Sequence, residues 1–398
     1  MSYRKFSADF LFTGTSMLSS GEVLITNEMG KIESIVPKDQ AGDGILQLKG
    51  ILTPGFVNCH CHLELSHMKG RIEEKTGMVN FLLSVIQSRA EKASVIQESM
   101  HAAENEMLLN GIVAIGDICN TADSLKIKKN NRLCYHDFIE ATGFVEQNAD
   151  QRFKLALETY QEFMRNGFPL HRRSIVPHAP YSVSAALFNQ ISKMEGNDVL
   201  CMHNQESDAE NSFFLYGSGD MVGLYKALNI DISFFSPTSQ TSLQSVFNKV
   251  QPFRSLILVH NIVTNQDDIH LANMPNVHWC LCSNANLYIN GRLPEVNLFR
   301  SNNCSIVIGT DSLASNQQLS ILEELKTLQK YFPHIPSSEL LQWATFNGAK
   351  ALQINDRFGS FEPGKIPGIV LIENADEGRL GERATARRVE VKGVNGKR

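Results

Sequence analysis

Short apolar runs that end in a polar side chain recur along the middle of this chain of 398 residues. The residues at their ends carry polar functional groups of the kinds found in active sites. They are His60 with His62, His178, His203, His260, Ser283 with Asn284, and Asp311. Between the runs lie helical periods, one of them from 79 to about 109, and connecting loops. Strands that alternate with helices predict a parallel sheet, because parallel strands need long crossover connections. Eight strands, counted from the run before His60, predict an α/β fold of the (β/α)8 TIM barrel type.

An open, doubly wound sheet is the alternative fold for the same alternation. Such a sheet normally binds its ligand at one switch point between strands. In this chain polar residues follow at least six strands, which is the pattern of a barrel whose active site occupies the carboxyl-terminal rim. We therefore prefer the closed barrel and expect the active site at that rim.

The two ends of the chain have a different pattern from the middle. Residues 1–53 and 358–398 hold short β-like pieces broken by glycine and asparagine turns. We predict that both ends join into one small, discontinuous β-sandwich domain. Residues 54–357 then form the barrel domain.

Composition limits the partners of this chain. A formal charge of −5 and a pI near 6.2 argue against nucleic-acid binding, which usually requires a basic face. No run of about 18 apolar residues is present, and residues 1–9 lack the apolar segment of a signal peptide, so we expect a cytoplasmic protein that does not contact membranes. The eight cysteines lie mostly in apolar runs and are predicted to be reduced. A small-molecule substrate is expected, and a homodimer stays open.

His60 and His62 are the first candidates for a metal site. Residues i and i+2 of a strand point to the same side, so both imidazoles can bind one ion. His203 and Asp311, at the ends of the fifth and eighth strands, complete a set of three imidazoles and one carboxylate. That set predicts one divalent ion with an open position for water, zinc by preference and iron as the alternative. The structural alternatives are strand histidines bonded to carbonyls and a helix cap at Asp311.

The expected chemistry is hydrolysis. Metal-bound water is acidified to a pKa near ~7 and can attack an sp² carbon as hydroxide. Glu206, three residues beyond His203, is predicted to be the general acid/base, with Asp311 also catalytic. His260 is predicted to orient the hydroxide. The alternatives are a first-turn helix glutamate for Glu206 and a hydrogen-bonded core histidine for His260.

Three further residues are assigned to substrate binding. His178 lies between Pro177 and Pro180 in a backbone that the prolines restrict. Glu64 begins the loop after His62, and Asn284 follows the seventh strand. We predict that all three side chains contact the substrate.

The sequence around these residues resembles the amidohydrolase superfamily, in its cytosine deaminase-like and chlorohydrolase-like branch. The matching segments are residues 54–62, 177–182, 203–206, 259–261, 283–284 and 309–316, with 344–352 and 359–365 toward the end of the chain. The resemblance implies a metal at His60, His62, His203 and Asp311. It also implies catalytic roles for Glu206 and His260 and substrate binding by His178. Members with two metals carry a modified lysine on the fourth strand, and its lack beside His178 implies one ion.

A looser likeness, in residues 62–70 and 217–243, is to aminodeoxyfutalosine deaminase-like members. It implies deamination of a 6-aminopurine nucleoside derivative such as aminodeoxyfutalosine. An amide, cyclic amide or chlorinated-ring hydrolase is the alternative, and an inactive barrel that serves as a scaffold is a more remote one. The long segments 62–77 and 207–242 should cover the rim, because long ordered loops are commonly lids, and a lid favours a substrate with a sizeable extension.

Overall fold

The computed structural model describes residues 3–166, 171–250, 253–375 and 378–390. The last part of the predicted β domain, residues 391–398, lies outside the described residues. Within the described ranges, no helix is long and apolar enough to cross a membrane.

The elements follow in chain order. The strands are β1 (Tyr3–Ser7), β2 (Phe10–Phe12), β3 (Met17–Ser19), β4 (Glu22–Asn27), β5 (Ile32–Pro37), β6 (Ile45–Gln47), β7 (Ile51–Pro54), β8 (Phe56–Cys61), β9 (Ile112–Cys119), β10 (Cys134–Ala141), β11 (Arg172–Pro177), β12 (Val199–Asn204), β13 (Ser255–His260), β14 (Val277–Leu281), β15 (Ser305–Ile308), β16 (Ile369–Glu373) and β17 (Thr385–Arg388). The α-helices are α1 (Met78–Ser88), α2 (Ala93–Leu109), α3 (Leu125–Lys128), α4 (Ala149–Arg165), α5 (Ala185–Ser192), α6 (Asp208–Tyr216), α7 (Asp220–Ala227), α8 (Ser242–Val246), α9 (Gln266–Ala272), α10 (Ser283–Asn290), α11 (Val296–Ser301), α12 (Ile321–Tyr331), α13 (Ser337–Gln342) and α14 (Gly348–Ala351).

Both ends of the chain contribute to a β-sandwich, as predicted. One sheet has the strand order β5-β4-β1-β6, and the other has the order β17-β16-β7-β2-β3. In the second sheet β16 pairs antiparallel with β7, which joins the end of the chain to its beginning. Phe6 and Leu24 from the first sheet share one buried cluster with Leu52 and Leu371 from the second. Burial of apolar side chains between the two sheets is what holds the sandwich together.

Gly55 divides what the sequence presents as one strand, residues 51–57. β7 belongs to the sandwich and β8 to the next sheet, with Gly55 between them. A Cβ atom at Gly55 would meet the Val113 side chain and would lie 2.7 Å from the carbonyl oxygen of Pro367. The backbones approach so closely at this point that glycine is required.

The eight strands β8 to β15 form the predicted barrel. They occur as two runs in sequence order, β8 to β11 and β12 to β15. The backbone N–H of His203 donates to the carbonyl of His178 at 2.9 Å and joins the two runs on one side. On the other side Cys61 and Asp311 form a parallel bridge, and the N–H of Thr310 donates to the carbonyl of His60. The strands therefore close into a ring.

The helical period from 79 to about 109 is two helices, α1 and α2, instead of one. The imidazole of His67 donates from Nε2 to the carbonyl of Arg89 at 2.9 Å, where α1 ends. This long-range contact uses a carbonyl that a continuous helix would need for itself.

The insertion after the fifth strand is helical, with α6, α7 and α8 between residues 207 and 250. Its Phe213, Met221 and Tyr225 share an apolar cluster with Leu65 and Phe81. The two long segments predicted to cover the rim therefore pack on each other. One compact unit, Cys59–Glu104 with Gly116–Leu319, carries every predicted site residue. The predicted domain boundaries, between 53 and 54 and between 357 and 358, stay a prediction.

Candidate active site

The four predicted metal ligands converge at the ends of three strands. His60 lies in β8 and His62 just beyond it, His203 lies in β12, and Asp311 follows β15. The Nε2 atom of His62 is 3.1 Å from that of His60 and 3.2 Å from that of His203. Asp311 Oδ1 lies 3.6 Å from His60 Nε2 and 3.4 Å from His62 Nε2. The four side chains thus present donor atoms to a common point.

The protonation states of the three imidazoles favour metal binding. Burial, followed by the neighbouring His60, lowers the pKa of His62 to about 3, and burial also lowers the pKa of His203 and of His60. The three imidazoles are therefore neutral at pH 7. The Nδ1–H of His203 donates to the carbonyl of His178 at 2.8 Å, so its Nε2 carries a lone pair toward the cluster.

The Nε2 atoms of His60 and His203 approach that of His62 to 3.1 and 3.2 Å, and all three can present lone pairs to one point only if a cation lies among them. Zinc–nitrogen bonds of about 2.0–2.1 Å with angles between 90° and tetrahedral would space the donor atoms by about 2.9–3.4 Å. The spacing and chemistry of these residues therefore fit a divalent metal ion.

Asp311 is held in an unusual backbone conformation. Its φ of 56° lies in the left-handed region, which non-glycine residues seldom adopt. The hydroxyl of Ser315 donates to its Oδ2 at 2.5 Å. Burial alone would raise the pKa of Asp311, but His60, His62 and His260 hold that pKa well below its usual value. The carboxylate is therefore ionised at neutral pH.

Glu206 and His260 lie beside this cluster. Glu206 Oε1 is 3.9 Å from His260 Nε2, and both residues are buried. The Nδ1–H of His260 donates to Oδ1 of Asn286 at 2.8 Å, which turns Nε2 toward Glu206. Burial raises the pKa of Glu206; burial lowers that of His260, but the Glu206 and Asp311 carboxylates outweigh this and raise it. Asn286 was not predicted, although it lies two residues beyond Asn284 in the same helix.

The three predicted substrate contacts differ in their surroundings. His178 lines the same cavity as Glu206 and His260, and its Nδ1 is 2.6 Å from the hydroxyl oxygen of Ser182. Asn284 is half-buried and is not among the residues that line this cavity.

Glu64 is committed to the backbone of the neighbouring strand end. Its carboxylate accepts hydrogen bonds from the N–H groups of Asn120 and Thr121, at 3.1 and 3.0 Å, and from the Thr121 hydroxyl. Burial raises the pKa of Glu64 to about 7. It is absent from the cavity lining. The substrate-binding roles of Glu64 and Asn284 stay predictions.

Glu140 is a residue of the cavity wall that was not predicted from the sequence. It lies in β10, its Oε1 is 3.7 Å from Nδ1 of His203, and its Oε2 accepts a hydrogen bond from the Asn120 amide at 2.8 Å. No metal-ligand spacing or motif distinguishes this residue in the sequence, because its neighbours come from other strands.

The cavity that Glu140, Glu206 and His260 line has a volume of about 850 Å³. Its polar lining includes His62, His178, His203 and Asp311. Its apolar walls come from the segment after β8, α1, the segment after β10 and the insertion, through Leu65, Phe81, Leu82, Phe144, Leu224, Tyr225, Leu228 and Ile230. The cavity also reaches Arg152 and Glu158 on α4. A cavity of this size that combines a polar cluster with apolar walls is typical of a site for a drug-sized molecule.

Comparisons with known proteins point to one family. The sequence profile of the Amidohydrolase family matches residues 51–394. The chain is 26% identical over 324 residues to an aminodeoxyfutalosine deaminase of a Nitratiruptor species, covering 79% of this chain and 76% of that protein.

Two solved structures share the fold. The aminofutalosine deaminase of Helicobacter pylori in complex with methylthio-coformycin superposes with a TM-score of 0.83 at 20% identity, over 97% of this chain and 100% of that one. An adenosine deaminase from Xanthomonas campestris with bound zinc superposes with a TM-score of 0.75 at 20% identity, over 96% and 89% of the two chains. The barrel with its sandwich is therefore a fold that these proteins have in common.

Proposed function

This chain belongs to the amidohydrolase family, and on that premise we propose that it is a metal-dependent deaminase. The proposed substrate is a 6-aminopurine nucleoside derivative such as aminodeoxyfutalosine, and the bond that breaks is a carbon–nitrogen bond outside a peptide. The observation that carries the proposal is the convergence of the His60, His62 and His203 imidazoles and the Asp311 carboxylate at the wall of a cavity that Glu206 also lines. The deaminase names of the relatives support it.

His60, His62, His203 and Asp311 would hold one divalent ion. Zinc is the proposed ion, with iron as the alternative, and the zinc bound to the Xanthomonas campestris adenosine deaminase supports that choice. When bound, the ion would supply a nucleophilic water at neutral pH.

Glu206 is the proposed proton carrier. Burial raises its pKa, so at neutral pH it holds a proton for a larger share of the time than an exposed glutamate does. It would donate that proton to the ring nitrogen beside the amino-bearing carbon, and it would then take a proton from the hydroxyl group that the attack leaves on that carbon and pass it to the amine, which departs as ammonia while the C=O bond forms. The proton that Asp311 accepts from the water would afterwards return to Glu206. General acid/base help of this kind contributes typically ~10²- to 10⁴-fold to the rate.

His260 and Asp311 would set the geometry around the carbon that reacts. Asn286 fixes the His260 ring, so its Nε2 faces the region between Glu206 and Asp311. Asp311, ionised because its pKa is lowered, can accept a proton from the attacking water. His178 is proposed to bind the substrate from the cavity wall.

The size and lining of the cavity favour a nucleoside over a free base. A cavity of about 850 Å³ is far larger than one purine ring requires. Leu224, Tyr225, Leu228 and Ile230 of the insertion line it together with Phe144. An apolar wall of this kind suits an apolar substituent beyond the ribose, because burial of apolar surface supplies binding energy.

The test is ammonia release by the zinc-loaded protein across adenine, adenosine, 5′-deoxyadenosine, 5′-methylthioadenosine and aminodeoxyfutalosine, with ring opening of a cyclic amide and chloride release from a chlorotriazine followed in parallel. We expect release from the nucleosides, with kcat/KM well above that for adenine. Turnover of the amide or the chlorotriazine alone would assign the protein to another reaction of the family.

A further inference from the structure

Glu210 lies four residues beyond Glu206, in the first turn of α6, and reaches back toward the strand that precedes its helix. Its Oε1 accepts a hydrogen bond from the backbone N–H of Gln205, and its Oε2 accepts one from the N–H of Glu206, both at 3.1 Å. Glu210 is fully buried. A first-turn carboxylate commonly stabilises its own helix. This one instead accepts from Gln205 and Glu206, which precede the N-cap residue Ser207, and Glu206 is the proposed acid/base.

The backbone of Gln205 and Glu206 is held from several directions. Gln205 has a φ of 47°, a left-handed conformation that is unfavourable for a residue with a side chain. Its side chain donates to Asp268 Oδ2 at 2.7 Å and accepts from the Thr264 hydroxyl at 2.6 Å. The Asn290 amide donates to the carbonyl of Glu206 at 3.1 Å. A strained turn persists only when its surroundings fix it in this way.

We propose that Glu210 is a positioning residue that holds the carboxylate of Glu206 in its reactive place. By accepting from two consecutive N–H groups, it fixes the peptide from which the Glu206 side chain extends toward His260. Without that acceptor, two buried N–H groups would lack a partner. The unfavourable free energy of these groups would favour a change in the backbone conformation at Gln205. The inference rests on the proposed role of Glu206 in catalysis.

The experiment compares Glu210→Gln, Glu206→Gln and the double variant in adenosine deamination. An amide in place of the Glu210 carboxylate keeps one acceptor oxygen but turns an N–H donor toward the second backbone N–H. We expect kcat to fall by about 10- to 100-fold, as a displacement of about 1 Å at a reacting group can cause. KM should change only a few-fold, and the metal content should stay that of wild type.

The double variant separates positioning from general damage. If Glu210 acts through Glu206, Glu210→Gln should lower kcat no further in the Glu206→Gln background. Glu104→Gln is the matched control, because Glu104 is equally buried and both of its oxygens also accept, from Tyr135 and Arg132. Glu104 is absent from the cavity lining, and we expect the control to keep the kcat of wild type.

Two results would overturn different claims. Wild-type kcat in Glu206→Gln would refute the role of Glu206 and with it the proposed mechanism. A slow Glu206→Gln variant beside a Glu210→Gln variant with normal kcat, or with a loss that multiplies fully in the double variant, would overturn the inference alone.

A crystal structure of Glu210→Gln tests the same inference without any substrate. We expect the separation between Glu206 Oε1 and His260 Nε2 to increase relative to Glu104→Gln, and an unchanged separation would overturn the inference. If Glu210→Gln does not fold, Asn290→Asp removes the donor to the Glu206 carbonyl, another hydrogen bond that holds the same peptide. That variant should show a smaller loss of kcat that also disappears in the Glu206→Gln background, and an unaffected kcat would count against the inference.

Discussion

Removal of the ammonium of Lys128 should destabilise the barrel more than removal of any surface charge. The side chain of Lys128 is fully buried, with Nζ 2.6 Å from Asp117 Oδ2 and 2.7 Å from Asp137 Oδ1. Burial alone would lower the pKa of Lys128, but the two carboxylates raise it well above its usual value. Asp117 also accepts from the backbone N–H of Leu63, directly after the candidate ligand His62.

The size of the effect follows from what remains in Lys128→Met. The variant keeps the methylene packing but leaves two buried carboxylates without their cation, and loss of one partner from a buried ion pair costs typically about 3–5 kcal/mol. Two carboxylates share this lysine, so we expect a loss of at least about 3 kcal/mol in the free energy of unfolding at pH 7.

The loss should depend on pH with a defined sign. Burial already raises the pKa of Asp117 and of Asp137, and Lys128 is the largest influence that opposes this effect, so its removal should raise both pKa values further. The folded variant then binds more protons than the unfolded chain, so its stability should fall as pH rises. The difference from wild type should grow from pH 5 to pH 8, by up to about 1.4 kcal/mol per pH unit for each carboxylate that titrates.

Urea unfolding of both proteins at pH 5, 7 and 8, in the presence of the same zinc concentration, measures these quantities. Arg254→Met is the control, since Arg254 and Asp198 form an ion pair that is largely exposed, and exposed pairs contribute little. A loss below about 1 kcal/mol at pH 7, or a difference from wild type that shrinks as pH rises, would refute the reasoning.

Three further predictions concern the site. Elemental analysis after purification without chelators should find about one divalent metal ion per chain, and an active preparation with two ions per chain would contradict the ligand set of His60, His62, His203 and Asp311. Glu206→Gln should keep its metal and its fold but lose ~10²- to 10⁴-fold in kcat, because the proton carrier is removed while the ligands remain; a kcat within a few-fold of wild type would assign the role to another group. The double variant L228A/I230A, which trims two apolar residues of the cavity wall, should lower kcat/KM for a nucleoside with an apolar 5′ substituent by about 10-fold or more and that for adenine far less, and equal losses would argue that the insertion does not contact the substrate.

The order of the strands and the convergence of the candidate ligands could be predicted because both depend on positions along single strands. Each candidate ligand follows an apolar run, and the closed barrel brings the ends of such runs to one rim. His60 and His62 share a side because the strand period is two residues. None of these statements requires knowledge of which distant segments touch.

The features that the sequence analysis missed depend on contacts between distant segments. Gly55 separates two strands because Val113 and the carbonyl of Pro367 lie against it. The break between α1 and α2 is accompanied by a hydrogen bond from His67, whose sequence position carries no helix-ending signal. The spacing of apolar residues shows which face of a segment is buried. It does not identify the segment that packs against that face.

The same limit explains the polar residues around the site. Asn284 and Asn286 are equally plausible in the sequence, and the rotation of α10 brings Asn286 to His260. Glu64 reads as a residue of the active-site loop, but its carboxylate is bound to the backbone after β9. Burial and partner choice at single residues follow from the packed structure.

The most direct test of the central claim is the origin of the oxygen in the product. The zinc-loaded protein is incubated with 5′-deoxyadenosine in water enriched in ¹⁸O, and product and ammonia are quantified by mass spectrometry and an enzymatic ammonia assay. We expect 5′-deoxyinosine with one ¹⁸O atom at C6, one ammonia per product, and no conversion above background after removal of the metal. Conversion that is equally fast without metal, or a product whose C6 oxygen does not come from water, would contradict hydrolytic deamination at His60, His62, His203 and Asp311.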